Sequence, residues 1–286
     1  MTPASFKRIL VATDASDAAN AAVDLAGSLA LACGASIRLV HVWTLEIHHR
    51  HSGSDAVVRQ EARHAMGDAI DRLVARGIEA SGQLAHADPS HVAAVLGEVA
   101  RQYEPDLLVV GSRGLSDWQP IREHGASHQL MTSLDCPILI VRSRASYDGG
   151  PMRILLAVAG RDDVEPGAKA AVAAAASPGS RVLVVHVASS VTTEHSGSYP
   201  EPADMIPQAV EETLTALSAA GIMAEAWMLR PGPVPEVIAD AAFRWQADLM
   251  ILGSSRIGDL GSLFFGSVTN DLLRGRDLPV LVVEPA

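Results

Sequence analysis

Three glycine-bearing runs and one aspartate carry the residue types that could hold an anionic ligand. Gly111-Ser112-Arg113-Gly114 and Gly253-Ser254-Ser255-Arg256 each close an apolar run, and Gly266-Ser267-Val268-Thr269 follows the second where a helix is expected to open. Glycine lets the main chain approach a phosphate closely, and N–H groups exposed at a helix start attract its charge. Asp14, which ends the apolar run Ile9–Ala12, adds a group that only accepts hydrogen bonds and so suits the donors of a ribose or an adenine. A glycine pair after a strand is by itself common turn chemistry, so the runs gain meaning only from what positions them.

Other chemistries find less support. Neither glycine run contains the Gly-Lys-Ser/Thr of a P-loop, and neither Ser112 nor Ser254 sits in a Gly-x-Ser-x-Gly elbow. Asp14 has no nucleophile or metal partner in its vicinity of sequence, which favours binding over general-base work. His48, His49 and His51 cluster without a carboxylate or cysteine at metal-site spacing, so they read as a polar loop and no metal site is expected. His41 and His186 lie inside predicted strands, where each is expected to meet a backbone group. The chain is therefore expected not to be an enzyme.

The positioning elements occur twice. ILVATDAS at 9–16 returns as ILLAVAGR at 154–161, IRLVHV at 37–42 as LVVHV at 183–187, PDLLVVGSRG at 105–114 as ADLMILGSSR at 247–256, and CPILIV at 136–141 as LPVLVV at 278–283. The first two pairs are 145 residues apart and the last two 142. A repeat of this length is a folding unit rather than a solenoid module. It predicts domains over 1–143 and 152–286, joined by a Gly, Ser and Pro-bearing linker within 143–151.

In the first half, strands are predicted over 7–13, 36–42, 79–85, 106–111 and 137–142, with helices over 17–32, 54–76, 90–103 and 122–134. The second half repeats the series with strands over 152–158, 180–187, 222–229, 248–253 and 279–283 and helices over 165–176, 203–220, 234–246 and 265–275. Apolar runs without alternation mark strands buried on both faces, so helices must cover a parallel sheet. Right-handed crossovers wind such a series into an open sheet, with ligands held beyond the carboxyl ends of the strands where strand order reverses. The loops after strands 1 and 4 meet there, which brings Asp14 to Gly111, and Ala159 to Gly253. The alanine-rich stretch 165–176 is read as close helix packing, and Pro231, Pro233 and Pro235 as a helix entry.

This combination resembles the universal stress protein family, over nearly the whole chain and as a tandem pair. The resemblance implies an α/β fold of two flavodoxin-like, doubly wound five-stranded parallel sheets, strand order 3-2-1-4-5, of the adenine nucleotide alpha hydrolase-like kind. The family's ATP-binding members carry Gly-x-x-Gly, nine residues, then Gly-Ser or Gly-Thr, with an Asp closing strand 1 and an apolar residue ending strand 2 at the adenine. The first half matches with Asp14, Val42, Gly111 and Gly114, but has His124 and Gly125 in place of Gly-Ser. The second matches with Val187, Gly253, Gly266, Ser267, Val268 and Thr269, but has Ala159 for the Asp and Arg256 for the second glycine. The first half is thus better provided for the nucleoside and the second for phosphate. The implied ligand is ATP or another adenine nucleotide, with Mg2+ as its companion ion. The implied pairing is an intramolecular pseudo-dimer through the last strand of each half.

Composition narrows the classes further. A formal charge of −11 opposes a sequence-independent grip on nucleic acid. No apolar run reaches the length of a membrane span or a signal-peptide core, and the two cysteines, Cys33 and Cys136, lie far apart, as suits a reducing cytoplasm. Two functional classes fit: a stress-response regulator whose nucleotide biases the loops near 43–55 and 188–202 towards an unknown protein partner, or a scaffold with vestigial pockets acting through its acidic surface.

Overall fold

The computed structural model describes residues 5–44, 54–111, 136–142, 145, 147, 149–188, 207–253, 255–256, 263–264, 272 and 277–284. The chain divides into two compact units, one built on Ser5–Gly150 and the other on Pro151–Ser255 with Phe265–Ala286.

The first unit runs β1 (Arg8–Ala12), α1 (Asp17–Cys33), β2 (Ser36–Trp43), α2 (Ser54–Ala75), β3 (Ala80–His86), α3 (Val92–Tyr103), β4 (Leu107–Gly111) and β5 (Ile138–Val141). Its strands are ordered β3-β2-β1-β4-β5, and every adjacent pair is parallel. This is the expected 3-2-1-4-5 order. The apolar runs become strands because both faces are covered: all five residues of β4 and all four of β5 are buried. Helix α1 packs on β1, β4 and β5, and α2 on β2 and β3. Alanines 18, 19, 22, 26 and 30 line the buried side of α1 and bring it close to the sheet. The helix is bounded by Ser16, whose side chain accepts from Ala19 N, and by Gly34 in the left-handed region at φ 68°.

The second unit repeats the plan with β6 (Arg153–Ala157), α4 (Val164–Ala174), β7 (Arg181–Val187), α5 (Gln208–Ala219), β8 (Met223–Leu229), α6 (Val234–Trp245) and β9 (Leu249–Gly253). Two-residue strands β10 (Ser255–Arg256) and β11 (Leu263–Phe264) precede β12 (Val280–Val283). Its large-sheet order is β8-β7-β6-β9-β12, again 3-2-1-4-5 and parallel throughout. The alanine-rich stretch packs as its composition predicts: Gly167, Ala168, Ala170, Ala171, Ala173 and Ala174 are buried, and a Cβ on Gly167 would come 3.0 Å from Leu156 Cδ1. Pro233 and Pro235 flank the first residue of α6, where the missing N–H has no intrahelical role.

The cores are built mainly from Ala, Val, Leu and Ile, with Phe6, Tyr103 and Trp245 the buried aromatics among the described residues. The predicted helices over 122–134 and 265–275 fall outside the described residues except at Leu272, which is helical. No helix among the described residues is long and apolar enough to cross a membrane.

Candidate functional site

The register of β1 against β4, with Ala12 opposite Val110, sets the carboxyl ends of these strands side by side. Strand order reverses here, because β2 lies on one side of β1 and β4 on the other. Thr13 N still donates to Val40 O at 2.9 Å, after which the chain leaves the sheet at Asp14. Three polar side chains then shape the loop. Thr13 Oγ1 accepts from Ala15 N at 3.2 Å, Asp14 Oδ1 from Ser16 N at 2.9 Å and Ser16 Oγ from Ala19 N at 3.3 Å. These bonds hold Ala15 at φ 61°, a conformation a non-glycine residue takes only under such local support. Asp14 is exposed at the mouth, its carboxylate oriented by the turn.

Gly111, at the end of β4, is buried. A Cβ there would come 2.8 Å from both Ala18 C and Ala19 N and 3.0 Å from Ala18 O. These are backbone atoms of the first turn of α1, so glycine is required by the packing of helix on strand, independently of any ligand. Val42 is half-buried near the end of β2, opposite Ala85. The next residue, Trp43, meets His86 of β3 with ring centroids 4.3 Å apart. This aromatic pair at the same edge was not singled out from sequence; only the adjacency of Trp43 to Val42 could have pointed to it.

His41 lies on β2 close to Asp14. Its Nδ1 is buried and has no hydrogen-bond partner among the described residues. Burial pushes its pKa below the ordinary imidazole value, while the Asp14 charge acts in the opposite direction. Its counterpart His186 does meet a backbone group, Nδ1–H donating to Val158 O at 2.8 Å. The expectation of a satisfied histidine therefore holds in the second half only. The loops beside the two histidines also differ: Ala15 is left-handed, whereas Gly160 is extended at φ −156°.

The second half is arranged otherwise around its reversal point. Ala159 leaves no carboxylate at the end of β6, but a carboxylate arrives from below. A 3-10 turn over Arg161–Asp163 precedes α4, and Asp163 Oδ2 accepts from Ala159 N at 3.0 Å and from Gly160 N at 3.2 Å. A Cβ on Gly253 would come 3.0 Å from Asp163 Cγ and closer still to Oδ1. Arg161 is paired with Glu212 at 2.7 Å. Val187 is half-buried at the end of β7, opposite Leu229. Asp163 was missed from sequence, although it lies 145 residues after Ala18, the residue that packs against Gly111.

Thus the structure brings Asp14, Val42 and Gly111 to one edge of the first sheet, and Val187 and Gly253 to the same edge of the second. Gly114, Gly266, Ser267, Val268 and Thr269 lie outside the described residues, as do His48, His49, His51, Ser112 and Ser254. Among the described residues, no group of three or more His, Cys, Asp or Glu side chains gathers to hold a metal ion.

The model of the universal stress protein family matches residues 5–142 and again 151–284. The chain belongs to the universal stress protein family. A universal stress protein of Thermus aquaticus is 33% identical over 133 residues, covering 46% of this chain and 97% of that protein. Universal stress protein YxiE of Bacillus subtilis is 29% identical over 150 residues, covering 48% of this chain and 99% of that one. Each relative thus corresponds to one half of this tandem chain. The crystal structure of a universal stress protein from Archaeoglobus fulgidus aligns with 98% of this chain and 96% of its own at TM-score 0.71 and 18% identity, which speaks for the fold.

Proposed function

We propose that this universal stress protein is a cytoplasmic stress-response regulator that binds an adenine nucleotide, ATP foremost, in its first half and does not turn it over. One observation carries the reading: the Asp14 carboxylate stands exposed at the reversal point, oriented by Ser16 N and at the same sheet edge as Gly111. A carboxylate so placed accepts from ribose hydroxyls or an adenine amine. Val42 and Trp43 supply apolar surface at the neighbouring strand end. Family membership supports the same ligand class, since the motif residues Asp14, Val42, Gly111 and Gly114 follow the pattern of the family's ATP-binding members. Mg2+ would enter on the phosphates of ATP. Binding without hydrolysis is proposed because neither glycine run carries the lysine of a P-loop. That the two halves form an intramolecular pseudo-dimer remains, in this proposal, an expectation of the repeat.

Calorimetric titration with ATP tests the reading. Asp14→Ala is expected to weaken binding by roughly 10-fold to 100-fold, the loss of one or two hydrogen bonds to a charged group. An unchanged affinity removes Asp14 from the site. Freshly purified protein that carries no nucleotide, and shows no thermal shift with ATP, AMP or cyclic AMP, would favour the scaffold reading instead.

A further inference from the structure

We propose that the second half carries a docking site for an extended, apolar peptide segment of a partner protein, which adds as a strand to the open edge of β8 and sets its side chains into the groove between β8 and α6. The site is built entirely from the second unit and does not depend on nucleotide binding by the first.

Strand β8 ends the order β12-β9-β6-β7-β8 and pairs with β7 alone among the described residues. Within a strand the N–H and C=O of one residue point to the same side, and that side alternates along the chain. Ala188 N donates to Leu229 O at 3.1 Å, so Met223, Glu225, Trp227 and Leu229 turn their main-chain groups to β7. Ala224, Ala226 and Met228 therefore turn theirs to the open edge, where they have no partner among the described residues. Edge strands are commonly guarded by a charged side chain, a proline or a bulge. Here the residues with outward main-chain groups are two alanines and a methionine, and the register with β7 runs unbroken from Met223 to Leu229.

The side chains of Glu225 and Trp227 face α6: Trp245 Nε1 donates to Glu225 Oε1 at 2.7 Å, and the Arg244 guanidinium lies 5.8 Å from the centre of the Trp227 ring. Beside them an open groove of about 530 Å3 runs between β8 and α6, walled by Trp227, Leu229, Pro231, Val237 and Ala241. Clefts that hold ligands span roughly 300–1,000 Å3. Trp227, Leu229 and Val237 are only half-buried, so the groove offers apolar surface. The charges on its rim balance, Arg230 and Arg244 against Glu236 and Asp240, with Arg244 standing 3.8 Å from Asp240. Such a rim favours neither an acidic nor a basic occupant. The open edge calls for a main chain and the groove for apolar side chains at alternate positions, which together describe strand addition. The first half lacks this combination: by register on the preceding strand, Trp227 and Leu229 correspond to Gln83 and Ala85, and the exposed Met223 to Glu79.

A phage-displayed library of random heptapeptides, selected on the immobilised full chain, supplies the probe, and the recovered peptide is synthesised and titrated by fluorescence anisotropy. Apolar residues at alternate positions and little net charge are expected in it. Trp227→Gln, which installs the first-half residue, is expected to weaken binding roughly 10-fold or more. Ala226→Pro removes an outward N–H that makes no bond to β7, so the sheet is kept while binding falls by a similar factor. Should either variant fail to fold by circular dichroism, the peptide methylated at alternate main-chain nitrogens takes its place, and is expected to lose affinity for the wild-type chain. Hydrogen exchange followed by NMR is expected to slow at the amides of Ala224, Ala226 and Met228 when the peptide is added. Recovery of no binder, or of one indifferent to Trp227→Gln or to main-chain methylation, overturns the inference, as does protection confined to other residues. Self-association of the wild-type chain in sedimentation that Ala226→Pro abolishes gives the edge to a second copy and overturns the partner peptide.

Discussion

At the amino ends of their strands the two halves share their main contacts, although Met152 N–H, the counterpart of Lys7 N–H, donates to Ser180 Oγ. Lys7 and Arg8 N–H donate to the Asp106 carboxylate at 2.6 and 3.1 Å, and Arg153 N–H donates to Asp248 at 2.8 Å. Arg8 stacks over Tyr103 at 4.6 Å and Arg153 over Trp245 at 4.8 Å. Helices α3 and α6 both end on a left-handed residue, Glu104 at φ 50° and Gln246 at φ 56°. At the carboxyl ends the agreement stops. One half turns on Thr13, Asp14 and Ser16 into a capped α-helix, the other on Gly160 into a 3-10 turn with Asp163 folded back. The amino ends are set by what a doubly wound sheet needs to close its helix-to-strand corners. The carboxyl ends are free of that demand, so side-chain changes there alter chemistry without altering topology.

The sharpest way to break this comparison uses the two glycines. Gly111→Ala drives a methyl into the backbone of α1, which cannot move without shifting the helix, and is expected to cost about 1–3 kcal/mol in urea unfolding. Gly253→Ala meets only the end of a side chain, so a smaller loss, under about 1 kcal/mol, is expected. In an Asp163→Ala background that smaller cost should vanish, a coupling that marks direct contact. Equal losses at the two glycines, or no coupling between 253 and 163, would erase the distinction drawn between the crevices.

A finer test uses His41. Burial lowers its pKa from the ordinary 6.5, so the unfolded chain takes up the proton first as pH falls. Stability contributed by the neutral imidazole is complete above the unfolded value and declines as pH drops through it, levelling off below the folded value. His41→Gln should flatten this part of the stability profile. Asp14→Ala should deepen the decline, because the Asp14 charge opposes the effect of burial. A profile unaffected by either change would detach His41 from the Asp14 mouth.

Much of this was readable beforehand, for physical reasons that also explain the gaps. Several strand runs are apolar on both faces and the series repeats at two fixed offsets, so a doubly wound parallel sheet in each half was legible, while the 3-2-1-4-5 order came from the family resemblance. Gly111 was legible as special but not for the right reason alone, since sequence cannot show that the first turn of α1 presses on it. Asp163 was missed because its role depends on a 3-10 turn that displaces the start of α4; the apolar pattern places that start at Glu165, one residue late, and says nothing of the turn before it. His41 and His186 looked equivalent because their strands are, yet only His186 finds a backbone partner.

Amide hydrogen exchange of the wild-type chain with and without saturating ATP locates the ligand directly. The account predicts slower exchange in peptides covering Thr13–Ala19 and no change in those covering Ala159–Val164. Protection confined to the second segment, or absent from both, would contradict it.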